Sequence, residues 1–429
     1  MLRFFYNIFI VPIAFLGMFV LSLFSKKIYT AIKERTNIIK KLSNEIANLG
    51  PFKKTVLFHV SSMGEFKQII PIIERFNKER EKYNLVISVF SSSAYKNISK
   101  DESDLVDIIS YVPFDTYFIT KNFISFINPS LVIISKHDVW PNFILELSRR
   151  DTPIYLVNAL YAKDSKVGNW YVKPFFKSLY KHFTGIITID KSNRDRFFNI
   201  YPYDEKLHIC GDSRFDTVKK DAVHFSENDP FGEFRVSKKI FVAGSSWPVG
   251  EEIILGSWSD IKGRYKDSFL IIVPHEIDVE HIYKIEAVCQ ENNLCYQVYS
   301  ELRKGSIKEG CEVLIIDKIG ILSAIYSLAS IAYVGGGFGK AGLHSVLEPA
   351  AYGLPVLFGP NLSKSPEAKE MTDIGCGIAF DNSSELYQIV KSLWGNKIYY
   401  NQVSQQSKNF IQKKSGATER IYNIITNGI

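Results

Sequence analysis

Cysteine is scarce in this 429-residue chain and poorly spaced for chemistry. The five residues Cys210, Cys289, Cys295, Cys311 and Cys376 form no CxxC pair, so neither a zinc site nor a disulfide framework is signalled and a reducing compartment fits best. Internal repeats and low-complexity tracts are missing, which excludes solenoid architectures. Beyond the amino-terminal region basic residues are diluted by acids and no RNA- or DNA-binding module is apparent, so nucleic acid is not an expected partner. The glycine run Val334-Gly335-Gly336-Gly337-Phe338-Gly339 lacks the G-x-G-x-x-G spacing of dinucleotide enzymes and the acid about twenty residues on at the next strand's end. What remains is a folded globular composition, 46% apolar and 23% charged, on a chain too long for one ordinary core. Two α/β domains are the expectation.

One long apolar run is present. Phe4 to Phe24 holds 21 residues without a charge, enough to cross a bilayer or to lie in one leaflet, although Asn7, Pro12 and Gly17 make it an imperfect span. Only Arg3 precedes it and no A-x-A-like site follows, so a retained anchor over residues 1–25 is expected rather than a cleaved signal peptide. From Lys26 to Lys54 eight Lys/Arg face two Glu, a local excess of six out of a total formal charge of +7. Such a collar predicts contact with anionic lipid head groups or a phosphorylated lipid substrate, and a body on the cytoplasmic side.

After the collar, apolar strands are expected at Thr55–Val60, Leu85–Phe90, Leu131–Ile134, Ile154–Val157 and Gly185–Ile189, with helical segments between them. The pattern restarts at Lys239–Ala243 and continues at Phe269–Val273, Val313–Ile316, Ile331–Val334 and Pro355–Phe358. Alternating strands and helices mean parallel, doubly wound sheets. The expected domains are residues 26–220 and 236–429, joined through a polar, turn-rich linker over Lys219–Ser237, with ligands in a cleft at the carboxyl ends of both sheets.

Three loops carry candidate chemistry. Ile331 to Pro360 reads as strand, glycine loop, helix and strand: Gly335, Gly336 and Gly337 permit close backbone approach, amides near His344 and Ser345 are expected to open the helix toward a phosphate, and Glu348 suits ribose hydroxyls. A tight turn with a salt-bridged Glu is the plainer alternative. Glu65, in the loop Ser61-Ser62-Met63-Gly64-Glu65 at a helix opening, has the position of a general base or, equally, of a carboxylate complementing the helix dipole. Ala243 to Pro248, ahead of Glu251-Glu252, reads as a phosphate loop or a capped βα turn.

Taken together, seven motifs in order resemble the 3-deoxy-D-manno-octulosonic acid (Kdo) transferases of lipopolysaccharide assembly, membrane-anchored glycosyltransferases of the GT-B fold. The V-S-x-G-E loop of that family is similar to Val60 to Glu65, W-P-N to Trp140-Pro141-Asn142, and R-R-x-x-P-hydrophobic-x-L-V-N-A to Arg149–Ala159. Its G-x-x-[KR]-F-D resembles Gly211–Asp216, its A-G-S-[ST]-x-P…E-E resembles Ala243–Glu252, and Y-x-x-A-D-x-A-[FY]-[VI]-G-G corresponds to the stretch ending at Gly336. The cytidylate-binding signature G-x-H-N-x-L-E-x-A-A-x-G-x-P-V-x-[FM]-G-P resembles Gly342–Pro360. The departures are Lys136-His137-Asp138 for E-T-E, Pro274-His275-Glu276-Ile277 for P-R-H-P, and Ser345 for the usual Asn.

The resemblance implies an α/β protein of two Rossmann-like doubly wound domains facing a cleft, the first binding acceptor and the second CMP-sugar. It implies inverting transfer of Kdo from CMP-Kdo to the 6′-hydroxyl of a lipid A precursor (lipid IVA) at the inner membrane, without cofactor or metal. Glu65 would be the catalytic base. Ser245, Ser246, His275, Glu276, Gly335, Gly336, Gly337, His344, Ser345 and Glu348 would bind donor, while Ser62, Gly64, Lys136, Asp138 and Arg214 are candidates toward acceptor or substrate. Another GT-B enzyme using a different nucleotide sugar or lipid, and a non-enzymatic membrane scaffold, are the competing readings.

Overall fold

The computed structural model describes residues 2–36, 38–98, 100–162, 165–235, 239–302, 307–339 and 342–428. These form two compact units, residues 1–217 with 416–429, and residues 218–415. Unit 1 holds a seven-stranded sheet of β1 (Lys54–Val60), β2 (Tyr83–Val89), β3 (Ile108–Tyr111), β4 (Leu131–Ser135), β5 (Ile154–Ala159), β6 (Gly185–Thr188) and β7 (Leu207–Ile209). Their order is β3-β2-β1-β4-β5-β6-β7, all parallel, with Val56 of β1 opposite Leu85 on one side and Leu131 on the other. Unit 2 repeats the plan with β8 (Lys239–Ser246), β9 (Ser268–Pro274), β10 (Tyr296–Val298), β11 (Val313–Ile315), β12 (Ile331–Val334), β13 (Val356–Phe358) and β14 (Gly377–Ala379). Its order is β10-β11-β9-β8-β12-β13-β14.

Helices cover both faces of a parallel sheet, so central strands become near-continuous apolar runs. β1 is buried from Thr55 to Val60 and β9 along its whole length, which is why both stand out in the sequence. The four strands without a sequence signal, β3, β7, β10 and β14, are the four sheet edges. Each has three or four residues and, unlike the equally short inner strands β6, β11, β12 and β13, is not buried throughout, so it shows neither a period nor an unbroken apolar run; edge strands are kept short because their open side invites unwanted pairing.

Two boundaries differ from expectation. The helix Arg214–Asn228 occupies most of the expected linker, because Phe215, Val218 and Ala222 bury one helical face; the expected domain start at residue 236 and the linker's end at Ser237 lie outside the described residues. The carboxyl terminus belongs to unit 1 rather than to the second domain. Its helix Ala417–Asn427 buries Ile421 and Ile425 in the core beside Phe76, the Tyr422 ring meets Phe76 at 4.8 Å, and the Tyr422 hydroxyl donates to Glu79 at 2.6 Å. Asp216 caps that helix by accepting from the backbone N–H and the hydroxyl of Thr418, each at 2.7 Å.

Candidate functional site

In unit 1 the chain runs outward from β1 to β2 and β3 and then crosses to β4 on the other side of β1. The carboxyl ends of β1 and β4 therefore flank the switch point, where doubly wound sheets bind ligands. Ser61, Ser62, Gly64 and Glu65 follow β1, and Lys136 and Asp138 follow β4. Ser62 caps the helix Met63–Asn77, its hydroxyl accepting from the Glu65 N–H at 3.3 Å, while Glu65 Oε2 accepts from the Ser61 N–H at 2.6 Å. This reciprocal bonding is close to a capping box and fixes a nearly buried carboxylate. Among the described residues no partner takes Glu65 Oε1.

Asp138 closes the cluster from β4. Its Oδ2 lies 2.7 Å from His59 Nε2 and also accepts from the Ser61 hydroxyl, while His59 Nδ1 is 2.9 Å from Ser88 Oγ. Burial works against the Asp138 charge, but the hydrogen bonds and the electrostatic attraction of His59, with the hydroxyl of Ser61, prevail and hold its carboxyl down at about 2. His59 was not among the expected site residues. The available signal was a polar side chain inside the otherwise apolar run Val56–Val60, a position that demands a buried partner.

A lowered carboxyl contributes stability above the unfolded value near 4 and loses it as pH falls toward 2, because the unfolded chain then takes up the proton first. Unit 1 is therefore expected to lose roughly 2 kcal/mol through this group between about pH 4 and 2. Asp138→Asn should flatten that part of the stability curve, read by denaturant titration at several pH values; an unchanged curve would remove the assignment.

Lys136 takes a left-handed turn (φ 60°), its N–H donating to Val157 O at 3.0 Å and its carbonyl accepting from Leu160. Arg214 lies in an ion pair with Asp212 at 2.7 Å, and Asp212 also accepts from Gln68, one helical turn beyond Glu65. Its structural role as an ion-pair partner is thus present in the fold.

Unit 2 reverses between β8 and β12, and the loops after β8, β9 and β12 meet there. Ser245 adopts φ 48° where the β8–β9 register shifts, and its carbonyl passes so close to Gly335 that a Cβ on Gly335 would sit 1.7 Å from it. Gly336 and Gly337 have φ of 105° and 81°, a region that side chains rarely tolerate. The Trp247 Nε1–H donates to His344 Nε2 at 3.0 Å, and the His275 and His344 rings approach to 4.2 Å between centroids. Burial and then the neighbouring His275 lower the His344 pKa, so its ring is an acceptor held neutral. Trp247 also packs against His275 at 4.8 Å, making an aromatic trio in which only the two histidines were expected.

Two donor-site expectations are corrected. The helix begins at Leu347 and has only five residues, and the His344 N–H donates to the Gly335 carbonyl at 3.1 Å instead of pointing to a ligand. The cause is the antiparallel bridge between Gly336 and Leu343, which folds the loop back on itself and uses that amide; Ser345 remains exposed and Glu348 half-buried in the short helix. Ser246 is fully buried with its hydroxyl donating to Glu251 at 2.6 Å, so it holds the loop from within. Glu251 also meets His281 Nε2 at 2.8 Å, and His281 Nδ1 bonds the Glu276 carbonyl at 2.8 Å, tying the exposed His275-Glu276 loop to the helix Pro248–Arg264.

A family model described as 3-deoxy-D-manno-octulosonic-acid transferase (kdotransferase) matches residues 30–217. The chain is 29% identical over 369 residues to a bifunctional glycosyltransferase/methyltransferase of Fusobacterium nucleatum, covering 85% of this chain and 56% of that protein. It thus spans little more than half the length of that relative. It is 30% identical over 335 residues to a 3-deoxy-D-manno-octulosonic acid transferase of Aquifex aeolicus, covering 78% of this chain and 84% of the relative. Among solved structures, the UDP-GlcNAc 2-epimerase of Neisseria meningitidis bound to UDP-GlcNAc matches with a TM-score of 0.60 at 14% identity, over 87% of this chain and 100% of that one. At that identity the likeness shows the fold: two parallel seven-stranded sheets of the GT-B class.

Proposed function

The chain belongs to the 3-deoxy-D-manno-octulosonic acid transferase family, and from that membership we propose that it is an inverting glycosyltransferase moving Kdo from CMP-Kdo to the 6′-hydroxyl of a lipid A precursor in lipopolysaccharide synthesis. The observation that carries this reading is that segments matching family motifs sit at the two sheet switch points, the Ser61–Glu65 loop in unit 1 and, in unit 2, two motifs far apart in sequence that meet through Ser245 against Gly335 and Trp247 against His344. Gly64 adds support. A Cβ there would meet nothing within 4 Å, so the fold itself has no steric need for glycine at this position, while a ligand close beside Glu65 would have one.

In this reading Glu65 Oε1 takes the proton of the acceptor hydroxyl as its oxygen bonds the anomeric carbon of Kdo from the face opposite the nucleotide. The bond from that carbon to the phosphate oxygen breaks with its electron pair, and cytidylate leaves. The Ser61 N–H orients the base through Oε2, and ionised Asp138, fixed by His59, keeps Ser61 in place. Unit 2 would hold the donor, with Ser245, Gly335 to Gly337 and Ser345 near the phosphate, Glu348 on the ribose, and His275, Glu276 and His344 around the sugar or base. Lys136 and Ser62 would face the acceptor. We place the protein at the cytoplasmic face of the inner membrane, where the acceptor's phosphates would meet the basic collar.

Purified full-length protein incubated with CMP-Kdo and the tetraacylated disaccharide bisphosphate should yield a product heavier by one or more Kdo units on mass spectrometry. A product formed only from a different nucleotide sugar would replace this donor assignment, and no transfer from any would overturn the enzyme reading.

A further inference from the structure

The amino-terminal helical stretch from Arg3 to Ser22 is apolar and long enough, at about 1.5 Å per residue, to cross the hydrocarbon core of a bilayer. Its contacts argue against crossing. Arg3 donates to Asn142 Oδ1 at 3.2 Å and to Glu146 Oε2 at 3.3 Å, and its guanidinium stacks 4.4 Å from the Tyr117 ring. Asn7 and Asn142 exchange two side-chain hydrogen bonds of 2.9 Å each, and the Tyr6 hydroxyl bonds Asp115. Halfway along, Phe15 packs edge-on to Phe114 at 5.6 Å. Beyond the far end, the helix Lys26–Arg35 is pinned by Arg35, which donates to Val112 O at 3.1 Å and lies over the same Phe114 ring at 5.0 Å.

The amino end and the middle of the helix are thus fastened to unit 1, and the helix that follows it is held there by Arg35. The contacting residues Arg3, Asn7 and Phe15 and the half-buried Val11, Met18 and Ser22 recur every three or four positions and form one stripe, with the stretch's charged and amide side chains, Arg3 and Asn7, upon it. The other faces carry exposed Phe5, Ile13, Leu16, Phe19 and Leu23, an apolar surface far more continuous than a water-facing helix presents. Were the helix to span, Glu146 and its partners Arg149 and Arg150 would be drawn into the acyl region beside Arg3, where each charge is strongly disfavoured.

We propose that residues 3–24 form a monotopic anchor that lies in a single leaflet of an anionic phospholipid bilayer, latched along its polar stripe to unit 1, with both its ends on the same side of the membrane as the body. The chemistry of the surface selects this occupant: apolar faces meet acyl chains, and the exposed lysines Lys26 and Lys33 of the helix that directly follows meet acidic head groups. Arg35 is not part of that lipid contact, since it is buried in the fold.

The inference rests on the membrane attachment proposed above and is separable from it. A cysteine-bearing tetrapeptide appended before Met1 of the full chain should react with a membrane-impermeant maleimide in sealed inverted vesicles, from the same face as exposed Cys295. Labelling of membrane-bound protein only from the opposite face would overturn the monotopic reading, whereas recovery of the protein in the soluble fraction would overturn the attachment itself. In a second variant, Asn7→Cys with Asn142→Cys should crosslink on mild oxidation while the protein stays membrane-bound, and absence of that crosslink removes the latch. Crosslinked dimers through Leu16→Cys would give the apolar face to a second copy and overturn the lipid assignment.

Discussion

Glu65→Gln is expected to lower turnover about 10²-fold or more while CMP binding and thermal stability stay close to the parent, because a positioned base is worth about that much. The substitution is nearly isosteric. A Gln carbonyl oxygen still accepts from the Ser61 N–H, so the cap-like bonding that orients the helix Met63–Asn77 survives, and what disappears is proton affinity at Oε1. Turnover with CMP-Kdo and the lipid acceptor, measured beside a melting curve, separates the two roles of this carboxylate. Near-parental turnover would leave Glu65 as a helix cap only and shift attention to Asp138, the other carboxylate of the cluster.

Gly335→Ala should be the most damaging single-methyl change in unit 2. Its Cβ would fall 1.7 Å from the Ser245 carbonyl oxygen and 3.0 Å from Ser246 Cα, both backbone atoms without rotamers to yield. Overpacking of this kind costs about 3 kcal/mol or more when main chain must move. The movement would part β12 from β8 at the point where the Gly335 N–H donates to Gly244 O at 2.8 Å, and would displace the Trp247 and His344 rings next to it. Loss of CMP affinity by calorimetry with a lowered melting transition is the expected pair of results. A variant that melts and binds like the parent would show that this crossing is looser than described and that the glycine loop is not tied to the nucleotide site.

How far the sequence could be read depended on burial. The central strands of both sheets were visible because helices on both faces make them unbroken apolar runs. The edges, β3, β7, β10 and β14, were not, since partial exposure breaks the apolar run and three or four residues are too few to show an alternation in its place. The helix Arg214–Asn228 was hidden by its polar face, although Phe215, Val218 and Ala222 have helical spacing. At the sites, glycines and carboxylates following strands were legible as loop chemistry, whereas the roles of His59 and Trp247 took shape only through their partners, Asp138 and His344, even though His59 stands out as a polar residue in an apolar run.

The sequence by itself determined the class of fold, the two doubly wound halves, the apolar amino-terminal run and the motif order that leads to the family, because these depend on local composition and spacing. The tertiary structure alone decided which polar groups are consumed inside the protein. The His344 amide bonds Gly335, the Ser246 hydroxyl bonds Glu251, Arg214 pairs with Asp212, Arg35 is buried, and Arg3 with Asn7 bonds Asn142. The physical reason is that a hydrogen-bonding group carries its potential partners in any sequence, but each donor or acceptor is committed by which residue folds to within about 3 Å of it, and that distance is a property of long-range packing.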